Sequence, residues 1–236
     1  MLSDNLSSRG QGSGALQRPD TLTETVVTHV RDMILEGRYA PGSSLPEMAL
    51  AAELETSRGT VREALRKLSE LGLVEIITHR GAFVPKLSAS RAREIVDLRA
   101  LLESHALTIA VREQRVTADV RAQVAEAFER LKHADESGSA FETVEADLNL
   151  HAVMAAASGR TMLSELLANI QIRSRQFILQ SRIYNAGVGK QAASHEALIE
   201  AFYSGDPDLA AAAVDEHIRG SGARLLARMA QLGVTE

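Results

Sequence analysis

The chain has no cysteine and no tryptophan, and aromatic residues make up only 3% of its 236 positions. Without thiols there is no disulfide framework, no Cys-based zinc finger and no cysteine nucleophile. Scarce aromatics, with Ala, Leu and Val supplying the apolar mass, favour packed helices over sandwiches. No uncharged apolar run approaches the roughly 20 residues a membrane span needs, and the amino end has no apolar core of signal-peptide type. We therefore expect a cytoplasmic protein with no membrane partner. An excess of positive charge is missing as well: the formal net charge is −5, which argues against coating nucleic acid by bulk basicity. Ten basic and 11 acidic residues precede position 89, while 16 basic and 20 acidic residues follow. Any contact with nucleic acid must then be local, and the near-neutral first part is the place for it.

With 45% hydrophobic residues the chain can build real cores, and its length suits two domains. Residues 1–18 are rich in Ser, Gly and Gln without apolar periodicity, and we expect a disordered tail there. From Leu22 to Leu35 the positions Val26, Val27, Val30, Ile34 and Leu35 recur at helical spacing, with Gly37 as the stop. Pro41-Gly42 marks a turn, and a short helix is expected from about Pro46 to Leu54. Ser57 can cap a third helix running to about Leu71, with Val61, Leu65 and Leu68 on its core face. The β-prone runs Leu73 to Ile77 and Ala82 to Val84, joined through Thr78-His79-Arg80-Gly81, read as a hairpin. Three helices and a hairpin over 19–87 predict a winged helix-turn-helix. Over 88–236 only helical periodicity remains. It is broken near Thr117, Ser137 to Ser139, Ser158-Gly159, Asn185 to Gly189 and Gly205 to Pro207, which predicts an all-α bundle of about six helices. The fold class is mostly α.

In the third helix, Arg58, Arg62 and Arg66 stand at i, i+4 and i+8, and each step of four advances only about 40° around the axis. They form one stripe, on a different side from Val61, Leu65 and Leu68. Arg can bind phosphate or read guanine in the major groove, and the first residues of a recognition helix reach base edges. Arg58 and Arg62 are the candidate base readers. Thr60 adds a hydroxyl, Ser57 can reach phosphate, and Gly81 in the hairpin lets backbone approach DNA. A solvated face balanced by Glu63 and Glu70 is the plain alternative. The stripe's position just before a wing favours groove docking.

Gly37-x3-Pro41-Gly42-x2-Leu45, Leu50-Ala51, Ser57-Arg58-x2-Val61-Arg62-Glu63-Ala64-Leu65, Gly72-Leu73-Val74 and Gly81-x2-Val84 follow one another over residues 22–86. In these motifs the chain resembles the GntR family of bacterial transcriptional regulators. It departs from the family at Gly59-Thr60, where Thr-Pro is common, and at Glu55-Thr56, which replaces a frequent Gly-Val. Gly59 costs about 1 kcal/mol of helix propensity and leaves one contact position bare, so an operator sequence does not carry over.

In the second part, Asp147 and His151 share a helix face with Val144 and Met154. His195 falls in the stripe Ala192, Leu198, Ile199, Phe202, and His217 in the stripe Val214, Ile218, Leu225. All four are expected to be buried. Singly, each His suits a core position bonded to backbone. Together they need partners, and one divalent cation, zinc or nickel, would satisfy three imidazoles and a carboxylate. The region 91–228 also resembles the FCD ligand-sensing domain of one GntR subfamily, whose metal-binding members carry Asp-x3-His and two later His. Here these match Asp147, His151, His195 and His217; Arg160 stands where Asn is usual. The resemblance implies a small carboxylic acid effector on open metal positions, its carboxylate held by Arg99. From the residues alone, Arg99 lies in line with Ile95, Leu102, Ala106 and Ile109, where a guanidinium wants an anion. Arg173, in line with Leu166, Ile170 and Phe177, is a second candidate. Internal salt bridges or exposure are the alternatives for both.

The expected protein is a homodimeric regulator, a repressor in the leading reading and not an enzyme, binding a palindromic double-stranded DNA operator and responding to the acid. Two rivals stay open: a metal-dependent enzyme, against which no Glu base is visible beside the ligand set, and the same regulator with an effector pocket lacking metal.

Overall fold

The computed structural model describes residues 22–181 and 191–234. The proposed tail at 1–18 and the turn at Asn185 to Gly189 lie outside these residues. The first helix, α1 (Leu22–Leu35), buries Val26, Val30, Met33, Ile34 and Leu35. A turn leads to α2 (Glu47–Glu53), which contributes Leu50 and Ala51. Next comes α3 (Arg58–Glu70), whose first turn is closed by Ser57: its side chain accepts the Thr60 N–H at 3.1 Å. Val61, Ala64, Leu65 and Leu68 pack inward from α3, so the expected core face is the one buried.

The hairpin is shorter and shifted. β1 (Glu75–Ile77) pairs antiparallel with β2 (Gly81–Phe83), with Ile77 opposite Gly81 and Glu75 opposite Phe83. Leu73 and Val74 lie outside the ladder and are buried in the core beneath it. Ser44 makes an additional bridge to Phe83, a long-range pairing that alternation along the sequence does not reveal.

Six helices follow among the described residues. Ser88, Thr117 and Ser139 each close the first turn of α4 (Ala89–Arg112), α5 (Ala118–Ser137) and α6 (Ala140–Ala156) by accepting a backbone N–H. Helix α7 (Thr161–Ser181) comes next. After it, a 3-10 turn (Ala192–His195) runs into α8 (Glu196–Tyr203). Asp206 caps α9 (Pro207–Gln231) by accepting from Asp208 and Leu209, with Pro207 at the helix start where no N–H is needed. Helices α4 and α9 lie against each other so closely that a Cβ at Gly222 would come within 2.6 Å of Val96.

Two cores result. One joins α1 to α3 and the hairpin around Ile34, Leu50, Leu65, Leu68 and Leu73. The larger fills the bundle around Leu107, Leu131, Leu150, Met154 and Phe202. Phe141 of α6, with Ile172 and Leu179 of α7, packs onto the first core. Two polar contacts accompany this seam: Arg175 pairs with Glu145 inside the bundle, and the Arg173 Nε–H donates to the Leu71 carbonyl at 3.1 Å. Gly72 beside it has φ +77°, and a Cβ there would stand 2.7 Å from the Arg173 Nε.

Candidate functional site

Arg58, Arg62 and Arg66 leave α3 on its open side, their side chains 61%, 65% and 61% exposed. None is bare. Arg62 forks onto Glu47 of α2 with contacts of 3.0 and 2.7 Å, and Arg58 stands 3.9 Å from the same carboxylate. Arg66 forks onto Glu63 at 3.2 and 2.7 Å and reaches Glu70 at 3.7 Å. The Arg62 hydrogen bond holds the Glu47 carboxyl below its usual range, and the Arg66 bond does the same for Glu63. Such exposed pairs contribute little to stability because water screens them, so a phosphate or base edge can take a carboxylate's place. The balancing acids are therefore Glu63, Glu70 and, from a different helix, Glu47. The Ser57 and Thr60 hydroxyls bond each other at 2.8 Å while Ser57 caps the helix. Gly81 has φ +95° with open space where a side chain would stand.

In the bundle, α6 presents Asp147 and His151 one turn apart, the end of the 3-10 turn presents His195, and the middle of α9 presents His217. One ligand atom from each lies within 4.8 Å of the others. Asp147, His151 and His195 are buried; His217 is half-buried, which departs from the expectation of four buried groups. The reason is its place on the edge of the inward stripe of α9, beside fully buried Ile218. Its exposed flank opens the cluster toward solvent.

Every imidazole uses its Nδ1 outward from the centre. His151 Nδ1 meets the Glu103 carboxylate at 2.6 Å, His195 Nδ1 meets the Gln191 carbonyl at 2.8 Å, and His217 Nδ1 meets the Ser194 carbonyl at 3.2 Å. Since carbonyls and carboxylates only accept, each Nδ1 carries a proton, and in a neutral ring the Nε2 keeps a lone pair. Those lone pairs converge: Nε2 of His151 and of His195 are 3.2 Å apart, and the latter is 3.1 Å from an Asp147 oxygen. With neutral rings, three acceptors face one another and repel unless a cation or a proton stands between them. Imidazole ligands on a common ion at about 2.0–2.1 Å have nitrogens about 2.9–3.4 Å apart at right to tetrahedral angles, and the 3.2 Å separation falls in that range. The residues thus fit a divalent ion.

Electrostatics agrees. Burial opposes charging His195, but the facing Asp147 carboxylate outweighs it and raises the group. Burial, then repulsion from His151 and His195, lowers His217 to about 3. Burial would raise Asp147 and Glu103, yet their partners hold both down: His195 for Asp147, and Arg99 with His151 for Glu103, the latter at about 2. The cluster accepts one positive charge readily and resists a second in the form of protons.

Glu103 is the residue that sequence reading missed, and it does lie beside the ligand set. It is 1% exposed and sits between Arg99, whose Nε–H donates to it at 2.8 Å, and His151. The available signal was its spacing, one helical turn after an inward Arg. Held from both sides, it orients His151 as carboxylates behind metal-bound histidines do. Arg99 thus lies against the centre, with a salt bridge to Glu103. Arg173 is not brought to the cluster; its guanidinium is turned to Leu71 at the seam with the first core, because its position on α7 faces that core's edge.

The FCD domain family matches residues 94–220, and the family described as bacterial regulatory proteins, gntR family, matches residues 22–84. The chain is 32% identical over 200 residues to the probable D-xylose utilization operon transcriptional repressor of Paenarthrobacter nicotinovorans, covering 82% of this chain and 86% of that one. It is 29% identical over 224 residues to the galactonate operon transcriptional repressor of Escherichia coli strain K12, covering 86% and 96%. Among solved structures, E. coli McbR/YncC superposes with a TM-score of 0.74 at 22% identity, over 88% of this chain and 98% of that one. A putative GntR regulator from Rhodococcus sp. RHA1 gives 0.73 at 25% identity, over 87% and 97%.

Proposed function

Because the chain belongs to the GntR family of bacterial transcriptional regulators and carries an FCD domain, we propose that it is a repressor whose operator binding answers to a small carboxylic acid held at a metal centre. The single observation that carries the effector reading is the convergence of one ligand atom from each of Asp147, His151, His195 and His217 within 4.8 Å of one another.

Asp147, His151, His195 and His217 would hold a divalent ion, zinc or nickel, which supplies Lewis acidity and positions open to an oxygen ligand. With neutral imidazoles, the buried Asp147, Glu103 and Arg99 sum to one negative charge. A divalent ion turns that sum positive, and a carboxylate entering past half-buried His217 restores neutrality. Arg99 lies against the centre as a further cation for that carboxylate. One similar protein is a galactonate operon repressor, so sugar acids belong among the acids to screen.

At the other end, residues 19–87 read DNA. Arg58 and Arg62 address base edges, Arg66 and Ser57 the backbone, Thr60 adds a hydroxyl contact, and Gly81 brings the wing close. Residues 88–236 hold the effector and the partner. One small module supplies limited affinity, so the reading includes a homodimer on a palindrome; Leu98 and Leu101, 45% and 65% exposed on α4, suit a face covered by a second copy. The acid acts by its different affinity for two poses of the reading modules. The seam through Phe141, Ile172 and Arg173 ties α6 and α7 to the reader.

A proton on His195 would also relieve the facing lone pairs, and this is the ground for a second reading in which the pocket works without metal. A thermal-shift screen of small organic and sugar acids, with zinc, with nickel and after chelation, separates the two. Stabilisation by an acid only in the presence of metal supports the first. Equal stabilisation after chelation supports the second.

A further inference from the structure

We infer that Asp135 is a positioning residue of the metal centre: from α5 it fixes the turn that sets the tautomers of two of the three histidines. The inference rests on the metal reading above for its consequence, and on hydrogen-bond geometry for its substance.

Asp135 is 5% exposed, so its carboxylate has to be satisfied by protein groups. Its Oδ2 accepts the backbone N–H of Gln191 at 3.0 Å and of Ala192 at 3.2 Å. These amides begin the 3-10 turn (Ala192–His195), where N–H groups have no partner within the turn itself. The cap here comes from a distant helix, 56 residues earlier for Gln191, so it also fixes where the turn stands relative to the bundle.

The acceptors that orient two imidazoles belong to this same short segment. The Gln191 carbonyl accepts the His195 Nδ1–H at 2.8 Å, and the Ser194 carbonyl accepts the His217 Nδ1–H at 3.2 Å. The Ser194 hydroxyl donates back to the Gln191 carbonyl at 2.7 Å and so tightens the turn. Both carbonyls are placed by a segment whose first two amides are pinned by one carboxylate. With the segment pinned, Nδ1 of each ring has a carbonyl acceptor that keeps a proton on it, and the His195 and His217 rings stand 4.2 Å apart. If it were released, both rings would lose the acceptor that selects the tautomer, and the proton would distribute between the two nitrogens. Glu103 does this for His151 directly; Asp135 does it for the other two through backbone.

The test uses the full chain with its histidines labelled by nitrogen-15. In the chelated wild type, the ring spectra of His195 and His217 should report protonated Nδ1. In Asp135→Ala both should shift toward a mixture of tautomers while His151 stays as it was. Zinc affinity should fall about 10- to 100-fold, the range for supporting residues of metal sites. Asp135→Asn keeps an acceptor oxygen without the charge, and charged acceptors bond more strongly, so an intermediate loss is expected. If Asp135→Ala does not fold, Asp135→Asn decides alone. Unchanged ring spectra together with unchanged zinc affinity in the folded variant would overturn the inference. Should the wild type take up no zinc or nickel, the metal reading fails, yet the ring spectra of the chelated protein still decide whether Asp135 sets the tautomers.

Discussion

Arginine and glutamate meet in both halves of this molecule, with opposite consequences. On α3, Arg62 forks onto Glu47 in open solvent, with the Arg side chain 65% exposed. On α4, Arg99 meets Glu103 with the two side chains 10% and 1% exposed. Distances are similar, 2.7 and 2.8 Å. What differs is what water can do. At the surface, the guanidinium exchanges a carboxylate for solvent, phosphate or a base edge at little cost. In the interior, losing either partner removes a contact that water cannot replace. One arrangement suits a group that can change partners; the other suits a group that holds a histidine still.

The contrast can be broken at several points. The largest effect is expected at the centre itself: His195→Ala should abolish metal uptake, and full occupancy by elemental analysis would refute the assignment. Next, Glu103→Ala removes the buried carboxylate that Arg99 and His151 share. It should destabilise the chain by about 3–5 kcal/mol in urea unfolding, while Glu103→Gln should lose less.

Acid should sharpen the contrast further in the chelated protein. The folded state holds Glu103 at about 2 and His217 at about 3, below their ordinary 4.5 and 6.5. The unfolded chain therefore binds protons first, and stability should fall as pH drops from about 6.5 toward 3. Raised His195 works the other way, adding stability below its ordinary value, and His195→Ala should steepen the loss measured by denaturant titration. The smallest effect is expected at the surface. Glu47→Ala should leave the melting temperature unchanged and strengthen non-specific DNA binding at low salt, because two arginines lose a competing acid. A large drop in melting temperature would mean that the exposed pair is structural.

Local signals made much of this legible. Ser57 caps where it is expected to, and the breaks expected near Thr117, Ser139 and Asp206 hold the caps of the helices that follow. The four residues that could hold a metal were found because each falls on an apolar helix face and because together they match the FCD pattern. The sequence was less informative wherever partners come from afar. Ser44 bridging Phe83, and Glu103 reaching His151 across 48 positions, leave no periodic trace. The 3-10 turn before α8 was hidden for another reason: a stripe from Ala192 through Phe202 looks continuous, although the helix proper begins at Glu196. Arg173 falls on an apolar line of α7, yet that line runs out at the seam with the first core, where the guanidinium caps Leu71.

The account depends most on α3 entering a DNA groove through guanidinium groups free to exchange partners. The direct measurement is fluorescence anisotropy of the full chain on a duplex selected by that chain in vitro, comparing wild type with Arg62→Ala across a salt series. The account predicts at least a tenfold loss of affinity for the selected duplex, reduced discrimination against scrambled DNA, and an unchanged unfolding curve. Equal affinity and equal discrimination in the folded variant would contradict it.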